Sequence, residues 1–305
     1  MIATLDQILT FLEQRLLYLA LLDSPLPRSA NLSDLTPTMS PSTTKPTPSP
    51  GQVFHFLTHP RRVMPTPEDQ MALAGAERLE VLHGGARLAV WAWGEGPPVL
   101  LLHGWESQAS HMAAFVPPLL QAGFRVWALD APCHGQSEGT ATDAVDYGRA
   151  VLGLVGTLGT PFAIIGHSVG SAAALFAFSR GVTAHSSVHL AGPSSMERVL
   201  RRGTASAGLD EAATKQVLDK MAEQIGEPLA VMDLHQLQSG FQHRALILHD
   251  PEDLEIPFSE SVALAQAWQG STLEATTRLG HRRIIRSPSV VQLAVRFVVD
   301  HSVEP

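Results

Sequence analysis

The chain holds 305 residues, 45% of them hydrophobic and 16% charged, with a formal net charge of -8, enough to bury a substantial core in one large domain or two small ones. This acidic balance lacks the basic footprint that nucleic acid or an anionic membrane surface requires, so neither is expected as a partner. The single cysteine, Cys133, excludes an internal disulfide framework and fits a reducing compartment, so a cytoplasmic location is expected.

Over residues 1–23, Leu5, Ile8, Leu9, Leu12, Leu16, Leu19 and Ala20 recur at helical spacing. This predicts an amphipathic helix packed on the body, on a partner or on a second copy. Asp6, Glu13 and Arg15 interrupt it, so no run approaches the ~20 apolar residues of a transmembrane segment, and no basic start precedes an apolar block as in a signal peptide. Residues 24–64 are dense in Pro, Ser and Thr and predict an extended linker. A folded domain is expected over 65–305. It opens with strands at 79–82 and 88–93, alternating like an antiparallel hairpin across Gly84-Gly85. The run 99–102 is apolar on both faces, as in a strand inside a parallel sheet. Helical patterns at 112–121, 144–158 and 168–179 then separate strands at 126–129, 162–165 and 188–190. Such alternation predicts an α/β fold with a doubly wound, mostly parallel sheet of about eight strands. Residues 193–242 carry helical patterns without a strand, which predicts an inserted helical lid. A strand at 245–248, a helix at 258–268, a strand at 273–276 and a helix at 290–299 close the domain.

The chemistry centres on Gly166-His167-Ser168-Val169-Gly170, between an apolar strand and a helix that opens in small residues. Turning from strand to helix so tightly strains the serine backbone, and side chains at Gly166 or Gly170 would collide with neighbouring backbone. Ser168 would stand above a helix N-terminus that favours developing negative charge. Ligands of open parallel sheets bind at the carboxyl ends of the strands, and three loops there offer partners. His103-Gly104-Trp105 follows the strand at 99–102, with Gly104 allowing close approach and the Trp105 amide available beside that of Val169 for a tetrahedral oxyanion. The loop from His249 to Pro257 supplies carboxylates. Asp253 lies far enough past the strand to orient a histidine, whereas Asp250 suits bracing the turn. His281 follows Gly280 on the last loop and would take the serine proton.

Taken with Asp130-Ala131-Pro132-Cys133-His134-Gly135-Gln136-Ser137, these motifs resemble the α/β-hydrolase family from about residue 76 to the end. That family usually has glycine where Cys133 stands, a departure that bears on the local backbone. The resemblance implies Ser168 as nucleophile, His281 as base and then acid, Asp253 as orienting carboxylate and Trp105 and Val169 as oxyanion donors. His103, Gly104 and His167 are expected to contact the substrate.

The implied reaction is hydrolysis of a small-molecule carboxylic ester, of short or medium acyl chain, through an acyl-enzyme. No cofactor is expected, and no histidine cluster has metal-ligand spacing, so no metal is expected either. Carbon-carbon bond or thioester hydrolysis on the same three residues is the enzymatic alternative. A binding protein that kept the fold without turnover is the alternative of another class. Cys133 reads as a packing residue. Arg198, Arg201 and Arg202, at helical spacing in the lid, are candidates for an anionic substrate group or a solvated face, and Met221, Met232 and Phe241 for an apolar pocket lining or ordinary core.

Overall fold

A computed structural model describes residues 47–302. The helix expected over 1–23 and most of the linker expected over 24–64 lie outside the described residues. Eight strands form one sheet: β1 (Glu77–His83), β2 (Ala86–Trp93), β3 (Pro98–Leu102), β4 (Arg125–Leu129), β5 (Ala163–His167), β6 (Ser186–Leu190), β7 (Arg244–His249) and β8 (Ser271–Ala275). Their order is β1-β2-β4-β3-β5-β6-β7-β8. β2 pairs antiparallel with β1 and β4, and every other pairing is parallel.

β3 is apolar throughout because both its faces are covered. Val99 and Leu101 of β3 pack with Phe115, Ile165, Val188 and the helix Pro288–Asp300 on one side. Leu100 and Leu102 point the other way, into a layer with Ile164, Tyr147 and Val151 of the helix Ala144–Leu158. This is the period-two alternation of a strand, here with two dry faces. The order of winding reverses at β3, which has β4 on one side and β5 on the other. Ligands of open sheets bind outside the carboxyl ends of the strands at such a reversal, and the loops leaving the carboxyl ends of β3 and β5 carry Trp105 and Ser168.

The segment between β6 and β7 folds as helices Met196–Ser206 and Glu211–Ile225, followed by short turns. Leu200, Val217, Met221 and Met232 join Ala172, Leu175 and Phe176 in one packed cluster, and Phe241 stacks on Trp268 with centroids 4.2 Å apart. These apolar residues of the insertion hold it to the body.

The linker reading fails at its carboxyl end, where Pro50–Thr58 is a helix. Pro50 occupies the first helical position, where a missing N–H costs nothing. Ser49 and Gln52 form a capping box. Val53 is buried, and Phe54 and Leu57 pack into the cluster of the insertion. A second capping box, Thr66 with Asp69, starts the helix Pro67–Ala72. Among the described residues no helix is long and apolar enough to cross a membrane.

Candidate active site

Ser168 sits between β5 and the helix Val169–Ser179 with φ 53° and ψ -121°, a left-handed backbone that a non-glycine residue adopts under strain. The strain is sustained by its surroundings. The Ser168 N–H donates to the Leu190 carbonyl at 2.9 Å. A Cβ on Gly166 would lie 2.8 Å from the Gly170 carbonyl oxygen and from Ser171, and one on Gly170 would run into the Leu102 and His103 carbonyls. Helix and strand can approach this closely only through those two glycines.

The hydroxyl this turn presents meets His281, whose Nε2 lies 2.9 Å from Ser168 Oγ. His281 Nδ1 lies 2.7 Å from Asp253 Oδ2. An ionised carboxylate can only accept, so Nδ1 carries the proton and Nε2 is left to accept from the serine. The structure thus brings together residues from three loops, with His281 28 positions from Asp253 and 113 from Ser168 in the chain. Asp253 is fully satisfied: Oδ1 accepts from the N–H groups of Glu255 and Ile256 at 2.8 and 3.0 Å, and Oδ2 also accepts from His249 Nε2 at 3.1 Å. Burial pushes its pKa up, but the hydrogen bonds from His249 and His281 outweigh it and hold the carboxyl well below the usual range. His249 is oriented in turn by Ser261, whose hydroxyl lies 2.7 Å from its Nδ1. Sequence reasoning assigned His249 no role; its place as the last residue of β7, four before Asp253, was the available signal. Asp250 accepts from the N–H groups of Leu279 and Gly280 and so ties down the turn that carries His281.

Both peptides flanking Trp105 are pinned. His103 Nε2 accepts from the Ala131 N–H at 3.0 Å, which leaves its Nδ1–H to donate to the Gly104 carbonyl at 2.7 Å. A trans peptide points its N–H opposite its carbonyl, so this bond aims the Trp105 N–H. On the other side, the Glu106 N–H donates to His134 Nε2 at 3.0 Å, His134 Nδ1–H donates to the Pro132 carbonyl, and the His134 ring packs edge-on to the Trp105 indole. Among the described residues no acceptor takes the N–H of Trp105 or Val169. Gly104 lies against Ser168, since a Cβ there would be 3.2 Å from the serine Cβ.

Two of the residues expected to contact the substrate lie inside the fold. His103 is fully buried with both ring nitrogens engaged, and His167 is buried with Nε2 donating to the His281 carbonyl at 2.8 Å. Both rings are turned inward, His103 against the Gly104 carbonyl and His167 against the His281 carbonyl, and His167 Nδ1 has no hydrogen-bond partner among the described residues. Burial keeps all three supporting rings neutral, lowering His103 to about 4 and His134 and His167 to about 3. Cys133 adopts φ 67°, the conformation glycine favours, and burial pushes its thiol up to about 11. It is a poor nucleophile. Arg198 is held by Glu260 at 2.8 Å, and Arg201 by Glu197 and Glu211, so neither has an uncommitted charge for an anionic substrate. Among the described residues no group of three metal-ligating side chains occurs.

A sequence model described as the alpha/beta hydrolase family matches residues 99–291. Protein phosphatase methylesterase 1 of Homo sapiens is 36% identical over 89 residues, 27% of this chain and 23% of that protein. The same enzyme of Bos taurus matches to the same extent. The aligned stretch thus spans under a quarter of these relatives' length. Among solved structures, the esterase Pf2001 of Pyrococcus furiosus superposes with a TM-score of 0.60 at 19% identity, over 80% of this chain and 97% of that one. Est1E from Butyrivibrio proteoclasticus, solved with ferulic acid bound, gives 0.57 at 16%, over 73% and 96%. At these identities the likeness is one of fold.

Proposed function

The chain belongs to the alpha/beta hydrolase family, and from that membership we propose that it hydrolyses carboxylic esters of small molecules through an acyl-enzyme on Ser168. The observation that carries this reading is the unbroken hydrogen-bonded series Ser168 Oγ, His281 Nε2, His281 Nδ1, Asp253 Oδ2. In the first half-reaction Ser168 Oγ attacks the ester carbonyl carbon while its proton passes to His281 Nε2. The carbonyl oxygen becomes an oxyanion facing the N–H groups of Trp105 and Val169, the latter in a helical first turn that has no intrahelical acceptor. Collapse breaks the bond to the alcohol, which leaves with the proton from His281. Water then adds to the acyl carbon, giving a proton to His281, and collapse breaks the bond to Ser168 Oγ, which takes that proton back from His281 as the acid leaves. Asp253 remains ionised throughout and stabilises the imidazolium.

The reading is tested by hydrolysis of a chain-length series of p-nitrophenyl esters by the wild-type protein and by Ser168→Ala. Turnover that the alanine variant loses supports it, and the preferred chain length sizes the acyl pocket. Wild-type turnover on thioesters or diketones with none on esters would move the reading to those substrates. A folded protein inactive on all three would favour the binding-protein alternative.

A further inference from the structure

Residues 59–62 precede the stretch matched by the family, and composition alone places them in a linker, yet two consecutive arginines there grip the loops beside Ser168. Arg61 engages Glu106 three times: its N–H reaches Oε1 at 3.1 Å, and its Nε and Nη2 reach Oε2 at 3.3 and 3.1 Å. Arg62 donates to the carbonyls of Gly135 and Gly139 at 2.9 and 3.3 Å, on the loop that carries His134. The segment is anchored on its amino side. The Thr58 carbonyl accepts from the Thr142 N–H at 2.8 Å, and the helix Pro50–Thr58 shares a core cluster with Glu211–Ile225 of the insertion.

Glu106 is the residue after Trp105 and has φ 49°, a conformation that a side chain adopts only when surrounding contacts enforce it. His103 and His134 pin the two peptides of Trp105 from inside the fold, and Arg61 and Arg62 hold the same two loops from outside. An exposed ion pair contributes little by itself. This one differs in being a guanidinium fork, reinforced by a backbone N–H, on a carboxylate only 10% exposed.

We propose that residues 59–62 form a positioning strap for the oxyanion site, with Arg61 acting through Glu106 on the Trp105 N–H and Arg62 acting through the 135–139 loop on His134. The proposal rests on the reading of Ser168 and Trp105 given above. A strap of this kind lowers the barrier without touching substrate, since a small displacement of an oxyanion donor is felt chiefly in the transition state.

In the full-length protein, Arg61→Ala and Glu106→Gln should each lower kcat on the best p-nitrophenyl ester about tenfold while KM stays within about twofold, because ground-state binding does not use the donor. Inactivation by an alkyl phosphonate, which needs the same donors, should slow by the same factor. Arg61→Lys should recover part of kcat, and the double variant should be no worse than either single one. Values of kcat within about twofold of wild type in both single variants, or losses that multiply in the double variant, would overturn the strap. So would a kcat loss that tracks a lower melting temperature and is not recovered by lysine. Each of these results leaves the Ser168 reading standing if Ser168→Ala is inert. An active Ser168→Ala would instead remove that reading, and the strap with it.

Discussion

Two histidines and two backbone amides converge on the carboxylate of Asp253, and every partner is a donor. An amide at this position cannot satisfy them, because whichever way it turns, its NH2 faces an N–H. With the NH2 toward His281, Nδ1 must become the acceptor and Nε2 keeps the proton, so the ring can no longer accept from Ser168. Asp253→Asn should therefore lower kcat by about three to four orders of magnitude with little change in KM, measured under conditions where the variant is shown to be folded. A loss below about tenfold would mean that the carboxylate does not set the tautomer of His281. His249, the second histidine on Asp253, was visible in the sequence only as the end of a strand. Its role depends on a loop that doubles back within four residues, and no spacing rule encodes that. Cys133 is the opposite case: the resemblance flagged a position where glycine is usual, and its backbone has the positive φ that glycine favours.

At the scale of elements, one buried carboxylate adds a polar tie to the apolar packing that holds the insertion to the body. Glu260, on the helix Phe258–Ala267, accepts from the Ser194 N–H and hydroxyl at 2.8 and 2.7 Å, from the Ser195 N–H at 3.1 Å and from both Arg198 Nε and Nη2. Removing it strands two buried N–H groups at the point where the chain enters the insertion. Glu260→Ala should cost about 2–4 kcal/mol of stability, read as a lower midpoint of urea unfolding, because orphaned buried donors lose their hydration without compensation. An unchanged midpoint would show that water reaches Ser194 and Ser195. The same contact explains why Arg198, a candidate ligand by helical spacing, is a structural residue: spacing shows a shared face but not the carboxylate that faces it from another helix. Prolines misled in a similar way. A Pro-rich stretch reads as extended chain, whereas Pro50 follows a capping residue and begins a helix.

For the molecule as a whole, the unusual store is of buried neutral histidines. Burial lowers His103 and His243 to about 4, and His134, His167 and His189 to about 3. Between the ordinary value of about 6.5 and these folded values, the unfolded chain binds protons that the native protein does not. The stabilisation is therefore complete above about pH 6.5 and is lost as pH falls toward about 4. Asp253, held low, acts with the same sign at lower pH, while Asp130 and Asp143, pushed up by burial, oppose it. Urea unfolding should shift to lower midpoints from pH 7.5 to pH 5.5, by about 1 kcal/mol for each ring that stays neutral. A flat midpoint across that range would mean that these rings take up protons without unfolding.

The sequence by itself determined the layered architecture and the position of the strand-to-helix turn at Ser168. Apolar runs of period two and helical runs between them are local consequences of which faces are buried, and a serine between two glycines at a strand-to-helix turn is a local steric requirement. It also singled out Asp253 and His281, because each stands just past a strand end on the side of the sheet where ligands bind. What only the tertiary structure decided is everything that depends on which loop lies beside which. Examples are His249 on Asp253, His134 against Trp105, His103 and His167 turned inward as supports, and Arg61 reaching Glu106 from a segment that composition assigns to a linker. Those contacts join residues up to 114 positions apart. They are set by the packing of the sheet's loops, to which periodicity and spacing along the chain are blind.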